Sequence, residues 1–171
     1  MDDAAAISGA GLFADPLTDR IGAFIRQIGI EVAPATLATP GPCPGVEARH
    51  GVLLVDEARL AYPGDLLHEA GHVAVCDPAV RRSLAAIGDD PGEEMAAMAW
   101  SYAAARWLEI DPAIVFHAAG YKGGAQSLLE AFNHDGPPGA PMLEWFGMTL
   151  SRRKAEAEGA RPFPHMLRWL R

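Results

Sequence analysis

The stretch that most limits how this chain can fold is His68-Glu69-Ala70-Gly71-His72, set between the apolar flanks Leu66-Leu67 and Val73-Ala74-Val75. Residues four apart on a helix face the same way. This HExxH pattern therefore brings both imidazoles to one zinc ion while Glu69 points to the adjoining space, where a bound water would sit. A helical wheel at about 100° per residue supports the helix. Taking His68 as origin, His72 falls near ~40° and Glu69 near ~100°, whereas Leu66, Leu67, Ala70, Val73 and Ala74 share an arc from about 140° to about 260°. One face packs and the other carries polar groups. Gly71 lies between them. A glycine inside a helix costs roughly 1 kcal/mol relative to alanine, so its presence here points to close approach of another backbone. Composition alone predicts on the order of 0.01 such patterns in a chain of this length.

A length of 171 residues suits one domain, and a 50% hydrophobic composition is enough for a sizeable core. The formal charge of -8, with Arg152-Arg153-Lys154 as the only basic cluster, argues against nucleic acid as a ligand. No apolar run approaches the roughly 20 residues that span a bilayer, so no membrane association is expected. The start Met1-Asp2-Asp3 has no Lys or Arg before Arg20 and so lacks the positive region of a secretory signal. A cytoplasmic protein is the expectation. Two cysteines, Cys43 in a Pro-rich loop and Cys76 at the end of the motif helix, make no disulfide framework.

Taken along the chain, residues 1–14 are small and Gly-rich and read as a flexible N-terminus. Asp15-Pro16 is an N-cap followed by Pro at the first helical position, with Ile21, Phe24, Ile25 and Ile28 as an apolar face and Gly29 as the stop. The same start recurs at Asp77-Pro78, Asp90-Pro91 and Asp111-Pro112, which divides the second half into successive helices, one of them running from Asp111 to Gly120. Between the first helix and the motif, Ile30 to Leu37 and Val46 to Asp56 contain β-like runs separated by the Pro/Gly segment from Thr39 to Gly45, which fits a sheet of two or three strands. The expected fold is α+β, a mostly helical single domain over residues 15–150 with a small N-terminal sheet. Residues 151–171 read as a charged linker, or a solvated helix over Ser151 to Gly159, and a tail whose apolar end, Pro162 to Leu170, is expected to dock on this chain or on a partner.

Two histidines leave a zinc site incomplete. The HExxHxxGxxH pattern is absent, because Val75 and Pro78 stand where its Gly and third His belong. Cys76 is eight residues from His68, a rise of about 12 Å along a helix, too far to share the ion. A carboxylate on the next helix is the remaining source. In Asp90-Pro91-Gly92-Glu93-Glu94, Glu93 holds the third helical position of a capping box. Glu94 lies one residue deeper on a helix apolar nearly all round through Ala105, where a carboxylate needs a partner. Glu94 is the favoured third ligand, with Glu93 as the alternative.

His68-Glu69-x-x-His72 followed by Glu94-x-x-Ala97-x-x-Trp100-Ser101 resembles the gluzincins, and among them the small ImmA/IrrE-type metallopeptidases and minigluzincins. The order of helix, small sheet, HExxH helix and glutamate helix is similar from about Pro16 to Leu108. Such families often carry Asp or Asn four residues after the ligand Glu, where this chain has Met98. The resemblance implies a zincin-like domain in which His68, His72 and Glu94 hold Zn2+. It implies Glu69 as the general base of a zinc metallopeptidase that hydrolyses peptide bonds in a protein or peptide substrate. Tyr121, His117 and His134 are the candidate hydrogen-bond donors to a developing oxyanion. The alternative reading is a non-catalytic zincin-fold module that binds or regulates a partner protein.

Overall fold

Asp15 accepts the Thr18 N–H at 2.7 Å and Pro16 opens α1 (Pro16–Gln27), whose Ile21, Phe24 and Ile25 are buried. The computed structural model describes residues 11–38, 41, 43–83, 85, 88, 90–134 and 137–171. Residues 1–10 and part of the Thr39 to Gly45 segment therefore lie outside the described residues. Ahead of α1, Phe13 is buried, and Asp19 accepts the Leu12 and Phe13 N–H groups. Gly29, at φ +98°, ends α1: the Ile30 N–H reaches Ile25 O and the Gly29 N–H reaches Arg26 O, the paired bonds of a Schellman stop.

Three short strands follow, β1 (Glu31–Pro34), β2 (Val46–Arg49) and β3 (Val52–Val55). Their order is β1-β3-β2, with β1 parallel and β2 antiparallel to β3. His50 and Gly51, at φ +54° and +77°, form the two-residue hairpin loop whose twist suits adjacent strands. Val46, Ala48, Leu53 and Val55 turn inward in alternation.

The motif helix is α2 (Gly64–Val75), and the carboxylate helix is α3 (Pro91–Trp107). Leu66 and Leu67 are fully buried, which stabilises by about 1.5–3 kcal/mol each. That outweighs the roughly 1 kcal/mol that Gly71 costs the helix. A Cβ at Gly71 would stand 2.8 Å from Ala97 O and 3.2 Å from Ala97 Cα, so the close backbone approach expected at Gly71 is present, and α3 is the neighbour. Alanines 96, 97, 99, 103, 104 and 105, all buried, leave α3 slim enough for this contact.

Two Asp-Pro starts do not become α-helices. Asp77 accepts the Ala79 N–H at 2.8 Å and closes a single turn, after which Arg81 folds back onto the carbonyls of Val73, Ala74 and Cys76 at the open end of α2. Asp111 caps only a 3-10 turn, Pro112–Ile114, before Val115 and Phe116 drop into the core. A cap starts a helix, but burial of an apolar stripe is what carries it on, and neither segment has one. The remaining helices are α4 (Ala125–Phe132), α5 (Ala140–Trp145) and α6 (Arg152–Glu158). On α5 and just past it the aromatics divide: Phe146 packs in the core and Trp145 is exposed.

The tail docks on this chain. Trp169 meets Phe24 edge-on at 5.0 Å and Trp100 at 5.5 Å, and the Trp100 indole donates to Trp169 O at 2.9 Å. The Arg171 N–H bonds Ala74 O on α2. The result is a mostly helical α+β single domain, as expected. No helix among the described residues is long and apolar enough to cross a membrane.

Candidate metal centre

Packing of α2 on α3 at Gly71 and Ala97 decides which side chains meet. His68 and His72 project from one face of α2. Their Nε2 atoms lie 3.2 Å apart. Glu94, one turn into α3, places Oε2 3.0 Å from His72 Nε2 and Oε1 3.6 Å from His68 Nε2. Ligands bonded at about 2.0–2.1 Å to a tetrahedral ion are about 3.3 Å apart, so these separations suit one. Together the three residues form a group able to hold a metal ion. Glu93 stays outside that group, and its N–H is taken by the Asp90 cap at 3.0 Å. Glu94 also gains from its place in the first turn of α3, where the helix dipole favours negative charge.

Burial, and then the neighbouring His72, pull His68 down to about 4 against an ordinary 6.5, so its ring is neutral at pH 7 and Nε2 is free to bond a cation. Hydrogen bonding from His72 holds the Glu94 carboxyl below its usual range. A neutral His68 imidazole facing an ionised carboxylate is the pairing that metal ligation needs. The sign for stability follows directly. Between pH 6.5 and about 4 the unfolded chain holds a proton on His68 that the folded chain does not, so acidification through that window favours unfolding. Urea denaturation of metal-free protein should show that His68→Gln loses less stability than wild type between about pH 7 and about pH 4.5. An equal loss in both would remove His68 as a source of the acid sensitivity.

Glu69, on the same helix, is buried beside this group. Desolvation raises its carboxyl above the ordinary value, opposed by His72 and by a hydrogen bond from the Cys43 thiol. Burial, followed by the charge of Glu69, pushes the Cys43 thiol up, so it remains a protonated donor. Cys76 is buried at the end of α2, donates to Val73 O at 3.3 Å and is not part of the metal group, and neither cysteine is in a disulfide.

The three candidate oxyanion donors part ways. Tyr121 reaches the site, with Oη 3.2 Å from His68 Nδ1. His117 has both ring nitrogens engaged, Nδ1 accepting the Gly120 N–H at 3.2 Å and Nε2 meeting Asp65 Oδ1 at 2.9 Å, so it braces the fold instead of facing the ligands. His134 is exposed beyond α4, and no hydrogen bond or ion pair among the described residues ties it to the group.

Sequence reading missed Cys43 and Asp65. Asp65 precedes Glu69 by one helical turn, a spacing that announces a shared face. Nothing in the sequence links the Pro-rich loop of Cys43 to the motif. A cavity of about 500 Å³ opens beside the centre, lined by Glu94, Met98, Tyr121, Gly124, Ser127 and Leu128.

No family model, curated protein or solved structure matches this chain. What the centre can do follows from its own geometry.

Proposed function

We propose that this chain is a zinc-dependent metallopeptidase of gluzincin type, similar to the small ImmA/IrrE-type enzymes, acting on a cytoplasmic protein or peptide. The observation that carries this reading is the convergence of His68, His72 and Glu94 next to the buried carboxylate of Glu69. Two imidazoles and a carboxylate, with a position left open, are a donor set that suits catalytic zinc.

Bound zinc would supply a Lewis acid and a water made acidic enough to ionise near pH 7. The remaining tasks belong to side chains of this chain. Glu69, a stronger base for being buried, takes the proton of the attacking water on its carboxylate and passes it to the leaving amine. The Cys43 thiol beside that carboxylate stays protonated. The Tyr121 hydroxyl lines the cavity and serves as donor to the carbonyl oxygen as charge develops. Met98 and Leu128 give the cavity apolar walls, which favour an apolar side chain beside the scissile bond.

The test is cleavage of a quenched fluorescent peptide library by zinc-loaded protein and by a Glu69→Gln variant. Cleavage by the first alone supports the peptidase. Cleavage by neither, with zinc bound, transfers the centre to the partner-binding reading.

A further inference from the structure

A histidine that ligates through one nitrogen is aimed by whatever holds the other. For His68, Nε2 faces His72 and Glu94, which leaves Nδ1 as the outer nitrogen, and its partner is Tyr121 at 3.2 Å. No residue of α3 has that role: Met98, four residues after Glu94, is apolar and lines the cavity. Tyr121 sits at φ +54°, a left-handed backbone that an aromatic residue seldom adopts, so surrounding structure must impose it.

That structure is visible. The Gly120 N–H donates to His117 Nδ1, which places the ring proton on Nε2, and Nε2 donates to Asp65. Asp65 stands three residues before His68 on α2. Tyr62, just ahead of α2, stacks on the His117 ring at 3.8 Å and 8°. The backbone ahead of His117 is pressed close to the start of α2 as well, since a Cβ at Gly64 would stand 2.1 Å from Ile114 O. The turn that carries Tyr121 is thus fastened to the first turn of α2 and returns its hydroxyl to the second.

We propose that Tyr121 is the positioning residue of His68, and that the Asp65–His117 pair is the brace that keeps Tyr121 in place; this rests on the metal-centre reading. With Nε2 on the ion, Nδ1 carries the ring proton and donates to Tyr121 Oη, and the phenolic proton stays free to donate into the cavity.

The experiment measures zinc affinity by competition with a chromophoric chelator, and the visible spectrum of the cobalt-substituted protein. Wild type is compared with Tyr121→Phe, His117→Leu and His117→Gln. Tyr121→Phe, which removes only the hydroxyl, is expected to weaken zinc binding about 10–100-fold and to shift the cobalt bands. His117→Leu should weaken binding in the same direction. His117→Gln, which retains a donor toward Asp65, should restore it. Affinity and cobalt spectrum both unchanged in Tyr121→Phe would overturn the proposal and leave the metal centre standing. Wild type that binds neither ion would instead overturn the metal centre itself. If His117→Leu fails to fold, Tyr121→Phe alone decides.

Discussion

Replacing Glu69 by Gln is expected to leave zinc bound and to lower peptide turnover by about 10²–10⁴-fold. The two side chains have the same shape. Folding should not suffer, because desolvation penalises the Glu69 charge and a neutral amide escapes that penalty. What disappears is basicity, since an amide does not take a proton from water near neutral pH. Metal content and turnover measured on one preparation separate the possibilities. Full turnover by Glu69→Gln would mean that another group is the base. Loss of zinc would mean that Glu69 is a ligand.

Gly71→Ala should damage the metal centre through a single methyl group. Helix propensity alone favours alanine here by roughly 1 kcal/mol. Against that, the new Cβ would meet Ala97 O at 2.8 Å and Ala97 C at 3.3 Å. These are backbone atoms of a fully buried segment, so no side chain can rotate away. Overpacking of this kind typically costs about 1–3 kcal/mol, and relief requires α2 and α3 to separate. His72 is the next residue on α2, and Glu94 lies one turn before Ala97 on α3. Separation therefore lengthens the His72–Glu94 distance of 3.0 Å. Since metal–ligand bonds tolerate only about 0.2 Å of error, zinc affinity should fall tenfold or more while net stability drops by up to about 2 kcal/mol. Chelator competition and urea denaturation check the two effects. A variant as stable as wild type with unaltered affinity would show that the helix spacing is slack.

These effects trace to features of unequal visibility in the sequence. The packing face of α2 was legible from its apolar arc, and its end from the Pro after Asp77. Gly71 was legible because a helix keeps an unfavourable residue only for a reason, and the reason was a neighbouring backbone. The choice between Glu93 and Glu94 could be weighed but not made. Adjacent residues differ by about 100° around a helix, and packing at Ala97 decides which of them faces α2. Asp77-Pro78 and Asp111-Pro112 misled because a cap is local whereas helix length depends on what is buried. Tyr121 was one of three donors the sequence could not rank. Its place beside His68, 53 residues away, depends on a loop held at positive φ by His117, and no periodicity carries such a contact. Cys43 was hidden for the same reason.

Elemental analysis of metal in the purified protein, after zinc is supplied and excess removed, tests the central claim most directly. The proteins to compare are wild type, His68→Ala, His72→Ala, Glu94→Gln and Glu93→Gln. About one zinc per chain is expected in wild type and in Glu93→Gln, none in either histidine variant, and a weakened complement in Glu94→Gln. Wild type without zinc, or zinc retained after His68→Ala and His72→Ala, would contradict the account.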